Sequence, residues 1–191
     1  MARRSRAAVA TFVRPAQAAD APAMGRLYVA AWREAYPALL PMHALLSMSD
    51  GRAAQQFEAS IARGREAVLV AESRGHGIVG LATGGRASDR GLTVGARLAH
   101  GEVFTLYVDP AETERGIGGH LLREMLRTLA EQRHENVIVW VLKGNPARYF
   151  YEHLGARLIA TKREQRFGTT IDLEAYAWSD LARVMTRPSA S

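Results

Sequence analysis

The amino-acid sequence predicts one α+β domain, and three observations carry that prediction. Two segments with helical apolar spacing lie in the first third of the chain, and short apolar runs of strand length follow them. From residue 102 onward a strand, a glycine-rich turn, a helix and a second strand succeed one another as a βαβ unit. At 191 residues the chain suffices for one well-packed domain and is too short for two ordinary ones.

The opening Met1-Ala2-Arg3-Arg4-Ser5-Arg6 is basic, and the apolar Ala7-Ala8-Val9-Ala10 breaks at Thr11, too short for the core of a secretory signal. Residues 1–10 therefore read as a flexible basic terminus, 11–180 as the domain and 181–191 as a tail. Asp20-Ala21-Pro22 marks a helix start, with a capping carboxylate and a proline tolerated in the first turn. Met24, Leu27, Tyr28, Ala31, Trp32 and Ala35 then recur at helical spacing until Pro37. A second helix is expected from Ser49-Asp50, with Ala54, Phe57 and Ile61 on one face and an end at Gly64.

The apolar period then shortens. Residues 67–71 and 78–82 form a hairpin pattern around Ser73-Arg74-Gly75-His76-Gly77. Residues 84–101, rich in Gly and Arg, exceed a tight turn and read as a mobile connection and candidate substrate lid. Glu102 to Asp109 is a central strand ended by Pro110; Leu121, Leu122, Met125, Leu126 and Leu129 mark an amphipathic helix, and residues 136–142 a buried strand. Asn145-Pro146 starts a further helix with Ala147, Phe150, Tyr151 and Leu154 on one face, and Gly155 stands where a left-handed cap belongs. Residues 157–164 and 170–178 close the chain as strands joined through Arg166-Phe167-Gly168.

Composition narrows the function classes. With 48% hydrophobic and 23% charged residues the chain is ordinary globular material, and no apolar run approaches the roughly 18 to 20 residues that span a bilayer, so no membrane role is expected. The absence of cysteine removes disulfides, thiolate zinc sites and a cysteine nucleophile, and fits a cytoplasmic protein. A net charge of +6 raises nucleic acid as a partner. The 25 basic residues are nearly all arginine and are spread along the chain with no basic stripe, so nucleic acid is not expected as the principal partner.

The chemistry concentrates at Glu114-Arg115-Gly116-Ile117-Gly118-Gly119, between a strand and a helix. Glycines there permit positive φ and close approach of a ligand to backbone amides, and a helix start offers unpaired N–H groups with a partial positive charge. Neither GxGxxG nor a Gly-Lys-Ser/Thr ending is present, which leaves a phosphate-sized anion or a plain tight turn as the two readings of this segment alone.

Taken together, Leu106-Tyr107-Val108-Asp109-Pro110, Arg115-Gly116-Ile117-Gly118-Gly119-His120-Leu121-Leu122 and Gly144-Asn145-Pro146-Ala147-Arg148-Tyr149-Phe150-Tyr151-Glu152-His153-Leu154-Gly155-Ala156 resemble, in order and spacing, the GCN5-related N-acetyltransferase superfamily. The resemblance covers nearly the whole chain. It departs at Thr113, where the family pattern usually carries Gln or Arg, with Arg115 the expected substitute. It implies a mixed sheet of six to seven strands flanked by about four helices, its parallel central strands splayed to admit the pantetheine arm of acetyl-coenzyme A. In that frame the backbone of Leu106, Tyr107 and Val108 pairs with the arm as an added strand, amides from Arg115 through Gly116, Ile117, Gly118 and Gly119 to His120 hold the pyrophosphate, and Asn145 and Arg148 line the coenzyme's other side. Acetyl-coenzyme A is the implied cosubstrate, with no metal.

The resemblance also assigns roles in direct transfer to an amine. Tyr151 matches the tyrosine that donates to the coenzyme sulfur, its plain alternative being core packing. Glu102 is the candidate base for the amine proton, against a solvated or ion-paired carboxylate. Trp32 and Tyr36, with Tyr107, are candidates for the acceptor pocket, although Trp32 also has core spacing. His120 and His153 read as a first-turn residue and a solvated position, without metal-ligand company. The expected function is N-acetylation of a small-molecule primary amine. Acetylation of a protein amino terminus or lysine, and acyl-coenzyme A sensing without turnover, remain as alternatives. The family also makes a homodimer an open expectation.

Overall fold

Strands that are apolar on both faces need cover on both faces. In the computed structural model, which describes residues 11–89, 91–112 and 116–181, β2 (Ala67–Ser73) and β3 (Gly77–Arg86) are of this kind, and helices lie on each side of them. On one face α4 (Ile117–Glu131) inserts Leu121, Met125 and Leu129 among Ala71, Ala82, Val103, Val137 and Val139. On the other, α1 (Ala21–Ala35) and α3 (Asp50–Arg63) pack Met24, Leu27, Val29 and Phe57 against Val68, Val70 and Leu81. Truncating any one of the fully buried α4 leucines to alanine is expected to cost about 2–5 kcal/mol.

These strands belong to a mixed seven-stranded sheet in the order β1-β2-β3-β6-β7-β9-β8, where β1 is Thr11–Pro15, β6 Gly101–Val108, β7 Val137–Leu142, β8 Arg157–Arg166 and β9 Thr169–Trp178. Every neighbouring pair is antiparallel except β6 and β7, whose parallel step requires a crossover, and α4 supplies it. The local signals act as expected at several ends. Ser49 accepts from the Arg52 amide at the start of α3, Gly64 ends that helix in the left-handed region, and α5 (Ala147–His153) follows Asn145-Pro146.

Three features depart from the sequence reading. A short helix, α2 (Met42–Leu46), is added, bringing the α-helices to five among the described residues. Residues 84–101 are not a free connection: Gly84–Arg86 continue β3, and β4 (Thr93–Val94) pairs with β5 (Arg97–Leu98). That small hairpin is tied down by Val94, buried against Ile138 and Ala177, and by Asn136, which donates to Leu98 O (3.0 Å) and accepts from the His100 amide (2.9 Å). The partners of Val94 and Leu98 lie about forty or more positions later in the chain, so local composition carried no sign of them. Finally, Leu181 is buried in the main core, so the domain runs past the expected boundary at 180, while residues 1–10 fall outside the described residues.

Candidate functional site

The β6–β7 ladder pairs Gly101, Glu102 and Val103 with Val137, Ile138 and Val139 and then stops, although both strands continue. Beyond that point the strands form the two arms of a fork. A cavity of about 580 Å³ occupies it, lined by β6 residues 103–108, β7 residues 139–141, and Tyr36, Asn145, Phe150 and Tyr151. Leu106 and Val108 pack toward the α4 face and Tyr107 toward the opposite face, as strand alternation requires, so all three present backbone to the fork.

At one end of the cavity α4 begins. Gly116 adopts φ 73°, a conformation that suits glycine, and Ile117 anchors the turn in the core. The first ladder bond runs from the His120 amide to Gly116 O (3.0 Å), which leaves the N–H groups of residues 116–119 outside the helical ladder, and Gly116, Ile117, Gly118 and Gly119 all line the cavity. The amide of His120, expected among the anion donors, is thus committed to the helix. Arg115 and Thr113 lie outside the described residues.

On the other side of the fork Tyr151 projects from α5, buried, its ring edge-on to Trp178 with centroids 6.0 Å apart. Burial, and then the neighbouring Tyr36, raise its phenol well above the ordinary tyrosine range. Tyr36 caps α1 and pairs its Oη with Tyr107 Oη at 3.1 Å. Asn145 accepts from the Ala147 amide through Oδ1 (2.9 Å) and lines the same cavity as Tyr36. Burial raises the Tyr36 phenol, and its interactions with Tyr107 and Asn145 pull it back toward its usual value.

Trp32 does not line the cavity itself but packs at a tilt on Tyr36 (4.8 Å) and meets Phe167 edge-on (6.0 Å), and Tyr28 joins Tyr107 at 5.4 Å. The buried Nε1 groups of Trp32 and Trp140 have no hydrogen-bond partner among the described residues. Two further expected residues stand apart from the cavity, which His120 does not line either. Arg148 donates to Tyr149 Oη (2.7 Å) and lies over that ring. Glu102 is buried, is not part of the lining, and its Oε2 accepts from both the amide and the hydroxyl of Ser88. Its place at the strand start suggested access, but the 84–101 segment folds back over it.

Three contributors had no role in the sequence reading. Trp140 lines the fork, Lys162 sets its ammonium 4.0 Å above the Trp140 ring, and Phe167 holds φ 54° in the two-residue turn between β8 and β9. Phe167 left a legible trace: a bulky residue before glycine, where such a turn favours Asn, Asp or Gly.

Comparison with known proteins agrees with this arrangement. The family model described as FR47-like protein matches residues 79–166. The uncharacterized N-acetyltransferase YuaI of Bacillus subtilis is 23% identical over 176 residues, 91% of this chain and 96% of its own. Among solved structures, the ribosomal-protein-alanine N-acetyltransferase of Brucella melitensis is 26% identical with a TM-score of 0.67, covering 87% of this chain and 98% of its own. The yncA protein of Salmonella typhimurium, solved with its cofactor acetyl-coenzyme A, is 21% identical with a TM-score of 0.64, covering 95% and 97%.

Proposed function

We propose that this chain is an acetyl-coenzyme A-dependent N-acetyltransferase of the GCN5-related superfamily and that it transfers the acetyl group directly to a primary amine of a small molecule, with donor and acceptor bound together. The observation that carries the reading is the fork. The β6–β7 pairing ends at Val103 and Val139, and the cavity beyond runs from the α4 amides that stand outside the helical ladder to the phenols of Tyr36 and Tyr151.

In this reading the backbone edge of Leu106, Tyr107 and Val108 takes the pantetheine arm as an added strand, and the amides of residues 116–119 take the pyrophosphate. Tyr107 holds Tyr36 at the reacting end through their paired phenols. Tyr151 supplies the proton that the departing sulfur requires, a role suited to a phenol that burial keeps protonated. Glu102 holds Ser88 and, through it, the segment that roofs the acceptor side. That roof is what favours a small acceptor. The Phe167 turn pairs its carbonyl with His43 Nε2 at 3.0 Å and sets its ring edge-on to Trp32, and the 84–101 segment packs Leu92, Val94 and Ala99 with Trp140.

Acetyl-coenzyme A at saturating concentration should raise the melting temperature by several degrees, because a ligand of the native state stabilises it. Thiol release should then appear with some members of a panel of small amines and not with peptides. No thermal shift would sink the donor assignment. The likeness to the Brucella enzyme favours a second reading, a protein amino terminus as acceptor, and turnover confined to the peptides of the panel would select it.

A further inference from the structure

Of the 25 basic residues only Lys143 and Lys162 are lysines, and arginine stays charged and is no nucleophile, so the chain offers two side-chain amines. Lys143 is exposed. Lys162 is seated with its ammonium 4.0 Å above the ring of Trp140, which lines the fork cavity. We infer that Lys162 is a self-acetylation site, its own Nζ taking the acetyl group in cis when acetyl-coenzyme A is bound and no free amine fills the acceptor side. This rests on the acetyl-transfer reading above and adds to it a covalent modification of the chain itself.

Three observations place this amine. First, the β6–β7 ladder ends at Val139, so Trp140 is the first residue of the β7 arm beyond the fork's base, and it lines one cavity with Tyr36 and Tyr151, where the thioester reacts in the reading above. Second, Lys162 reaches Trp140 from the side of the sheet that carries the aromatic group. It pairs with Leu173 across β8 and β9, paired residues share a face, and Leu173 packs in one cluster with Tyr36, Trp32, Tyr107 and Trp140. Third, its approach is fixed without being sealed. Glu164 Oε1 holds Nζ at 2.7 Å while Glu164 Oε2 takes Arg166 Nε at 3.2 Å, and the Lys162 side chain is 31% exposed, so water reaches the ammonium. A rotatable four-carbon stem lets Nζ leave the ring face for the cavity.

The step balances with acetyl-coenzyme A and water alone. The ammonium first gives one proton to water, and the neutral Nζ attacks the thioester carbonyl. As the carbon–nitrogen bond forms and the carbon–sulfur bond breaks, a second proton leaves the nitrogen for solvent, the sulfur takes the Tyr151 proton, and a proton from solvent restores the phenol. An ammonium and a thioester become an amide, a thiol and one released proton. The modification removes the charge above Trp140 and leaves Glu164 to Arg166, so the acceptor side then presents a neutral amide in place of a cation.

Mass spectrometry of the full chain tests the assignment. Incubated with acetyl-coenzyme A and no added amine, the protein should gain one acetyl group, about 42 Da, which peptide mapping places on Lys162. The fraction labelled at a given time should not depend on protein concentration, and the small amine of highest turnover in the panel, at saturation, should slow the labelling. Lys143→Arg should label as the wild type does, and Lys162→Arg should not label. An unlabelled chain, a label shared equally with Lys143 or the amino terminus, labelling as fast in urea as in the folded protein, or a rate per chain that rises with protein concentration overturns the inference. Should Lys162→Arg not fold, peptide mapping of the wild type decides alone. Turnover of a small amine with Lys162 unlabelled overturns this inference and leaves the transfer reading standing, whereas no thermal shift with acetyl-coenzyme A and no label remove both.

Discussion

Glu102 and Ser88 are joined twice: the same carboxylate oxygen accepts from the Ser88 amide at 2.8 Å and from its hydroxyl at 2.6 Å. Such a carboxylate is a structural tie. Glu102→Gln should lower the melting temperature, with about 1–3 kcal/mol lost from two charge-assisted bonds, and should leave kcat within a few-fold of wild type. Thermal unfolding and steady-state kinetics check both. A drop of 100-fold or more in kcat at unchanged stability would identify Glu102 as the amine's base after all.

The pyrophosphate assignment makes an opposite demand on stability and binding at Gly118. A Cβ there would meet Phe150 Cζ and Val108 Cγ2 at 3.6 Å, ordinary contact, so a side chain is tolerated by the fold. Gly118→Glu also places a carboxylate in the first turn of α4, where the helix dipole favours it. The apo protein should therefore melt within a few degrees of wild type, while the KM for acetyl-coenzyme A rises at least tenfold because the new charge meets the phosphates.

Tyr151 supplies a prediction in pH. Burial is the first cause that raises its phenol, with Tyr36 the second, so the protonated form persists to higher pH than the ordinary value near 10. If Tyr151 is the acid, kcat should show no alkaline decline below about pH 10, whereas an acid of unshifted pKa would begin to lose activity about one unit lower. A kcat profile measured from pH 6 to 10 separates the two.

Phe167 occupies the left-handed region at φ 54° and spends its ring on Trp32. Phe167→Asn gives the turn its preferred Asn-Gly pair and removes the ring. The expected result is a melting temperature no lower than wild type together with a several-fold rise in acceptor KM. A fall in stability without change in that KM would mean that the ring serves packing alone.

Much of this architecture was legible along the chain because its causes are local. Pro22 in the first turn of α1, Ser49-Asp50 and Gly64 set helix ends through capping and φ preferences, while the expected Asp20 cap instead accepts from Arg14 and the Gln17 amide; the spacing of Leu121, Leu122, Met125, Leu126 and Leu129 declared the buried face of α4. The three glycines around the start of that helix suggested an anion there, and Asn145-Pro146 marked the start of a further helix, before any contact was known. Tyr36 and Tyr151 were named in advance and stand in one cavity; Trp32 stands one ring behind it.

What the tertiary structure alone decided is where side chains separated by tens of residues meet. The Tyr36–Tyr107 contact spans 71 positions, and the ties from Asn136 to Leu98 and His100 span 38 and 36. No local period encodes such distances. Glu102 illustrates the limit: the strand that carries it was plain from its residues, but whether its carboxylate faced the cavity or Ser88 depended on how the 84–101 segment folded back. Capping, spacing and turn chemistry act within a few residues and so can be read in order, whereas the identity of a partner across the sheet is set by packing of the whole chain.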